Sequence, residues 1–193
     1  MNFVDCKNAL KTLKSGLPII FPTDTLPEIG CLPKFSKIIY EFKKRDGNKP
    51  LILMGSKYKQ LIDYVHESAR EDFEIIASKY WPGALTMVIP ASEQRNELLT
   101  SKDHTLGLRI PNSSIAQSLI QETGPLLTSS ANISGFTGPI TAEGITLDFP
   151  SVGILGPIPW KKSSGKASTI ISWKKSGDWR LIRDGEVLVR ELH

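Results

Sequence analysis

The sequence predicts an α/β fold built on a mixed sheet flanked by helices. Three observations carry this. Short apolar runs of strand length alternate with segments whose apolar residues recur at helical spacing. No long linker or internal repeat interrupts the 193 residues, so a single domain over 1–193 is expected. The later strand-like runs follow one another too closely for a helical crossover between each pair, which requires some antiparallel pairing.

The elements follow in order. Val4, Ala9, Leu10, Leu13 and Leu17 mark a first helix, with Asp5 near its start, Lys11 and Lys14 near its end and Gly16 as its stop. LPIIF at 17–21 reads as a buried strand entering the turn-rich PTDT. Ile38, Ile39 and Phe42 mark a second helix that ends in Lys43, Lys44 and Arg45. After Asp46, Gly47 and Asn48 comes a strand, PLILM at 50–54. Ser56 is expected to open a helix through Leu61, Ile62 and Val65. Ser68 and Glu71 form a capping-box pattern for a helix through Phe73, Ile76, Ala77 and Tyr80, stopped by Trp81-Pro82-Gly83.

ALTMVIP and TLGLRIP read as strands, joined by a polar surface connection over 91–104. Asn112 is expected to cap a helix through Ile115, Ala116 and Leu119, ended by Gly124. PLLTSS is a strand leading into the loop ANISGFTGPI, and TAEGITLDF is a short helix. SVGILG, STIISW and WRLIRD are late strands. The segments richest in Gly, Ser, Thr and Pro follow strands, which is where open α/β sheets bind ligands.

Bulk properties narrow the function classes. Hydrophobic residues make up 40% and charged residues 23%, which argues against disorder. The net charge of +4 suits a polyanion such as RNA or ATP, and equally a solvated basic surface. Two cysteines, Cys6 and Cys31, are too few for a disulfide framework and lack metal-ligand spacing. They are expected to be buried thiols in a cytoplasmic protein. No apolar run is long enough to span a bilayer, so no membrane association is expected.

The chemistry-bearing residues exclude several mechanisms. His66, His104 and His193 sit in polar or terminal contexts, and no Cys/His metal cluster exists. Neither a phosphate-binding Gly-Lys-Ser/Thr loop nor a dinucleotide glycine fingerprint is present. Cations and hydroxyls instead concentrate at strand ends and turns. Lys43, Arg45 and Lys49 bracket a turn, Arg109 interrupts an apolar strand, and Thr128, Ser129, Ser130, Asn132 and Ser134 crowd one strand end. Ser163, Ser164, Lys166, Ser168 and Thr169 crowd another, and Arg183 lies in LIRDG. Such a set suits charge neutralisation of phosphoryl oxygens and needs no covalent nucleophile. Each piece also has a plainer reading: a solvated helix end for Lys43–Arg45, a solvent-facing Arg109, ordinary turn chemistry for the Ser/Thr loop, and a packing anchor for Trp81-Pro82-Gly83.

In order, the motifs resemble the YrdC-like threonylcarbamoyl-AMP synthases in their short, single-domain form. They are FPTDT at 21–25, IGC at 29–31, KKRDGNKPL at 43–51, WPGALTMVI at 81–89, LGLRIP at 106–111, LLTSSANISG at 126–135, GKASTII at 165–171 and LIRDGEV at 181–187. The resemblance implies a twisted, largely parallel α/β sheet with a large, positively charged cavity. It implies a reaction in which a carbamate of L-threonine, formed with bicarbonate, attacks the α-phosphate of ATP, carried with Mg²⁺, and releases pyrophosphate. The product would pass to a threonylcarbamoyl-transferase complex that modifies adenosine 37 of tRNA. By the same resemblance Thr25, Arg109, Ser130 and Ser168 would hold threonine or its carbamate. Lys43, Arg45, Lys49, Ser129, Asn132 and Arg183 would hold ATP. No side chain is expected as a covalent catalyst or a metal ligand.

Three positions depart from the family pattern. Pro27 stands where a tyrosine is usual, Glu28 where a glycine is usual, and Asp46 where proline commonly follows the arginine. These changes fit either a different small substrate or compensation elsewhere in the pocket. Two other function classes therefore stay open: a non-catalytic YrdC-like module binding tRNA or double-stranded RNA, and a related carbamoyl-adenylate enzyme.

Overall fold

The structure is a computed structural model that describes residues 2–93, 103–136 and 138–189. Most of the polar connection read over 91–104 lies outside them, as do Thr137 and His193.

Among the described residues, ten strands form one sheet. They are β1 (Phe3–Val4), β2 (Ile19–Phe21), β3 (Glu28–Cys31), β4 (Ile52–Met54), β5 (Leu85–Pro90), β6 (Thr105–Arg109), β7 (Leu126–Ser130), β8 (Gly153–Leu155), β9 (Thr169–Lys175) and β10 (Asp178–Arg183). Their spatial order is β1-β8-β2-β3-β7-β4-β6-β5-β9-β10. The pairs β1–β8, β8–β2, β4–β6 and β5–β9 are parallel, and the other neighbours are antiparallel. The sheet is mixed, as expected, with a more even balance than the resemblance implies. β1 and β3 escape the sequence pattern. β1 is two residues long, and β3 contains Glu28 and Gly30, which have low strand preference.

Among the described residues, five α-helices flank the sheet: α1 (Cys6–Lys14), α2 (Lys37–Lys43), α3 (Arg70–Tyr80), α4 (Ser114–Thr123) and α5 (Ala142–Asp148). α1 begins as expected, with the Asp5 carboxylate accepting from the Asn8 N–H at 2.8 Å. Two expected caps move. Ser113, not Asn112, caps α4: its hydroxyl accepts from Ala116 N, and Asn112 lies one residue before the cap with its N–H donated to Asp24 Oδ1. Ser68 does not cap α3. Its hydroxyl bonds His66 Nδ1 at 2.9 Å, and the chain makes a 3₁₀ turn over Glu67–Ala69 before α3 starts. The helix expected after Ser56 is replaced by two 3₁₀ turns, Tyr58–Gln60 and Ile62–Tyr64. There the Gln60 side chain accepts from both the N–H and the hydroxyl of Ser56, which closes a tight local turn. Leu61 and Val65 are buried all the same. Cys31 is buried, Cys6 is half-buried, and both are free thiols.

Strand register gives the sheet two unlike faces, because successive side chains alternate. One row crosses six strands as Cys31, Leu127, Leu53, Leu108, Met87 and Ile171. All six are buried, in the same apolar cluster as Ile39 of α2, Phe73 and Ala77 of α3 and Ile145 of α5. The neighbouring row on the opposite face reads Gly30, Thr128, Ile52, Gly107, Val88 and Ser172. With two glycines, a threonine and a serine among the six, this row cannot make a dense core. On that face α1 and α4 supply Ala9, Leu13, Ala116, Leu119 and Ile120 to a second apolar cluster with Ile19, Phe21 and Met54. The rest of the face is left to a cavity.

Candidate active site

The cavity has a volume of about 310 Å³ and lies against the polar row, with Thr128, Ile52, Gly107 and Val88 in its lining. Gly107 helps keep it open: a Cβ there would lie 3.6 Å from Ile52 Cγ1 and 3.7 Å from Thr86 Cγ2. Three cations, Arg45, Lys49 and Arg183, line the cavity together with one carboxyl, Glu28. Hydroxyls come from Thr25, Thr86, Ser130 and Ser168 among others.

One wall is the turn between β2 and β3. Thr23 Oγ1 donates to Leu26 O at 2.7 Å and accepts from Thr25 N at 3.1 Å, a local bonding pattern typical of Thr in turns. The turn is braced from three directions. Ala131 N donates to Pro27 O at 2.7 Å, Ser164 N to Asp24 O at 3.1 Å, and Arg109 reaches it from β6. The Arg109 guanidinium donates to Asp24 Oδ1 at 2.8 Å, to Thr25 Oγ1 at 2.8 Å and to Gly83 O at 3.1 Å. Arg109 is 1% exposed, so the solvent-facing reading of this residue is excluded. It works as a strut that ties the PTDT turn to the Trp81-Pro82-Gly83 turn and is not among the cavity-lining residues.

Lys43 also differs from a free phosphate binder. It is buried at the end of α2, and its ammonium donates to the Ser130 carbonyl and, at 3.3 Å, to Asn132 Oδ1. Ser130 Oγ donates to the same Asn132 oxygen at 2.5 Å. Lys43 thereby fixes the end of β7, and Lys44 follows it with φ +49°, turning the chain out of the helix. Asn132 borders a neighbouring groove beside Pro27 and Phe136. Arg45 stands on the cavity wall, held by the carbonyls of Lys49 at 3.3 Å and Pro50 at 3.0 Å.

The opposite wall is built from β9 and β10. Arg183 Nε donates to Ser168 O at 3.0 Å and Nη2 to Ser168 Oγ at 3.1 Å, and that hydroxyl lies 2.9 Å from Thr86 Oγ1. Ser129 lines the cavity too, although register turns its side chain to the face opposite Ser130. The structure thus gathers Thr25, Arg45, Lys49, Ser129, Ser130, Ser168 and Arg183 around one cavity, with Lys43, Arg109 and Asn132 supporting its walls. Sequence reasoning missed Asp24, Thr86 and Thr105. Thr86 carried a signal, as a lone hydroxyl inside the apolar run ALTMVIP.

Glu28 is the exceptional member. It is 5% exposed, and its Oε2 has no hydrogen-bond partner among the described residues. Burial pushes its pKa up to about 7, against the pull of Arg109, Lys43, the Thr128 hydroxyl and Arg183. Burial likewise draws the Lys43 ammonium down to about 8, although Glu28 favours its charged form. Among the described residues the cavity offers one carboxyl, hemmed by cations, where a resident divalent metal takes several oxygen ligands.

The Trp81-Pro82-Gly83 turn is a packing anchor, as the plainer reading had it. The Trp81 ring packs edge-on against Phe73 with centroids 5.5 Å apart, and its Nε1 donates to Leu85 O at 2.7 Å. Among the described residues, no helix is long and apolar enough to cross a membrane.

Comparison with known proteins follows the motifs. The sequence profile of the Sua5/YciO/YrdC family, described as "Telomere recombination", matches residues 11–185. A threonylcarbamoyl-AMP synthase of Yersinia pestis (strain Pestoides F) is 34% identical over 161 residues, which cover 80% of this chain and 84% of that protein. A threonylcarbamoyl-AMP synthase of Pyrococcus abyssi (strain GE5 / Orsay) is 33% identical over 141 residues, covering 71% of this chain and 41% of that protein. This chain therefore spans less than half of that longer relative. The crystal structure of P. abyssi Sua5 complexed with L-threonine superposes with a TM-score of 0.83 at 30% identity, covering 93% of this chain and 54% of that one. From the profile match, the shared motifs and the superposed sheet, the chain belongs to the Sua5/YciO/YrdC family.

Proposed function

We propose that this chain is an L-threonylcarbamoyladenylate synthase, a nucleotidyltransferase that forms threonylcarbamoyl-AMP and pyrophosphate from L-threonine, bicarbonate and ATP. The observation that carries the proposal is the single cavity into which Arg45, Lys49 and Arg183 converge with the hydroxyls of Thr25, Ser130 and Ser168. Two anionic reactants, a carbamate and a triphosphate, repel each other. A cavity that neutralises both removes that barrier, and positioning the carbamate in line with the α-phosphorus contributes more. The carbamate is itself a nucleophile, so no attacking side chain is required.

The residues take roles that follow from their placement. Arg45, Lys49 and Arg183 contact phosphoryl oxygens from opposite walls. Thr25, Ser130 and Ser168 orient the amino acid, with Ser129 beside them and Asn132 and Lys43 fixing the end of β7. Arg109 acts one step back, by holding Asp24 and Thr25 in place. Magnesium enters bound to the triphosphate as part of the ATP substrate. The mixed anhydride is then consumed by a threonylcarbamoyl-transferase complex acting on adenosine 37 of tRNA in the cytoplasm. No step in this chain's own reaction needs contact with RNA.

Purified protein incubated with ATP, Mg²⁺, bicarbonate and labelled threonine tests the proposal. A labelled adenylate formed in step with pyrophosphate, dependent on all three substrates, is the expected result. Adenylate formed from another amino acid, or from carbamoyl phosphate alone, overturns the assignment of threonine. No adenylate with any of them overturns the activity.

A further inference from the structure

Glu28 raises a question that the proposed reaction leaves unanswered. A carboxyl oxygen buried without a donor is costly, and it is stabilised when a ligand supplies the missing hydrogen bond. Glu28 projects from β3 into the same cavity as Thr25, Ser130 and Ser168, and its Oε2 is the unsatisfied atom. Most ligand groups this cavity would receive are anions: phosphates, bicarbonate and the amino-acid carboxylate. A carboxylate repels each of them. Besides the Mg²⁺ that the triphosphate itself chelates, the α-ammonium of the amino acid is the cationic group in the set, and it must lose a proton before its nitrogen can attack carbon.

Resting on the synthase reading above, we propose that Glu28 receives the α-ammonium of the amino-acid substrate and accepts the proton whose loss makes that nitrogen nucleophilic. The ammonium gives one proton to Glu28. The freed amine attacks the carbon of bicarbonate, forming the C–N bond as a C–O bond breaks. The departing hydroxide leaves as water with a second amine proton, and the nitrogen keeps the third. Carbamate, water and protonated Glu28 result, so atoms and charge balance, and Glu28 then returns its proton to solvent.

The surroundings suit this task. Arg109 from β6, Lys43 from α2, Arg45 from the turn after α2 and Arg183 from β10 all act on Glu28 electrostatically, and the Thr128 hydroxyl on β7 also favours its charged form. Burial opposes these cations and leaves the carboxyl titrating near neutrality, where a general base works best. Glu28 also lies directly across from Ser130 in the β3–β7 register, which places the base beside a hydroxyl assigned to the amino acid.

The test compares wild type with Glu28→Gln in both directions of the reaction. In the forward direction, from threonine, bicarbonate and ATP, E28Q is expected to lose about 100-fold or more at pH 7, the usual share of a general base. The deficit should narrow toward pH 9, where free amine and carbamate form in solution. In reverse, from threonylcarbamoyl-AMP and pyrophosphate to ATP, no ammonium is deprotonated, so E28Q should not show the forward loss, and any change should come from the altered charge beside the anionic ligands. A forward rate within threefold of wild type with the same pH profile overturns the role of Glu28 alone. Equal losses in both directions also overturn it, since that is the mark of a damaged site. Failure of the wild type to make the adenylate removes the synthase reading and this proposal together.

Discussion

Arg109 Nη2 lies 2.8 Å from Asp24 Oδ1 across 85 residues of sequence, and the same guanidinium holds Thr25 Oγ1 and Gly83 O. Asp24 Oδ1 in turn accepts from Asn112 N at 2.9 Å. This knot joins the PTDT turn, the Trp81-Pro82-Gly83 turn and the end of β6, and it forms one support of the cavity.

Removing the strut should therefore damage both fold and activity. Arg109→Ala strips Asp24 of its buried counter-charge and Thr25 Oγ1 and Gly83 O of their guanidinium donors, and is expected to cost about 3 kcal/mol or more. Arg109→Lys keeps the charge without the planar fork and should fall between wild type and alanine. Denaturant midpoints give the stability order. Adenylate formation should decline in the same order.

Arg183 should behave differently, because it is solvent-exposed and joined to the fold chiefly through Ser168. Arg183→Ala is expected to change stability by less than about 1 kcal/mol. It should lower kcat/KM for ATP by about 100-fold, the scale of losing one charge-stabilising donor. A large drop in melting temperature with unchanged KM for ATP would contradict this placement.

Glu28 and Lys43 make opposite contributions to the pH dependence of stability. The folded pKa of Glu28 is about 7 against an ordinary 4.5, so the folded chain holds its proton more tightly. Its contribution is most favourable below 4.5 and is lost as pH rises through 7. Lys43 is drawn down to about 8 from 10.5, so the unfolded chain binds that proton more tightly, and stability recovers as pH rises from 8 toward 10.5. A stability minimum between pH 7 and 8 is expected for the ligand-free protein. The gain of Glu28→Gln over wild type should grow from pH 5 to pH 8, by on the order of 2 kcal/mol. Thermal or denaturant unfolding across that range measures it.

Gly107 separates cavity shape from fold stability. A methyl group there would meet neighbours at ordinary contact distances, 3.6 Å at the nearest. Gly107→Ala should therefore keep stability within about 1 kcal/mol, since the lost chain freedom in the unfolded state offsets minor crowding. Gly107→Val extends further into the cavity and should raise KM for ATP or threonine more than Gly107→Ala does. Steady-state kinetics of the two variants decide this.

Much of the fold was legible along the chain. The short apolar runs located eight of the strands, from LPIIF to WRLIRD, and Asp5, Lys14 and Gly16 bounded α1. β1 and β3 were not legible, because their pairing comes from partners distant in sequence, Ile154 for Phe3 and Ser129 for Ile29. The caps at Ser68 and Asn112 misled as well. α4 starts one residue later than the pattern implies, so Ser113 takes the cap, and His66 takes the Ser68 hydroxyl.

By itself, the order of amino acids determined the α/β class, the place of most strands and helices, and the motif set that identifies the family. Local spacing and side-chain type suffice for these, because they depend on neighbours within a few residues. Only the tertiary structure decided which cations face the cavity and which act as struts. From the sequence, Arg109 and Lys43 were expected to meet ligands just as Arg183 and Arg45 were. Whether a guanidinium or ammonium meets a ligand or a carbonyl depends on strand register and on partners from 26 to 89 residues away. Glu28 illustrates the same limit. Its identity was plain, but its burial, its missing donor and its altered acidity arise from groups that meet only in the folded chain.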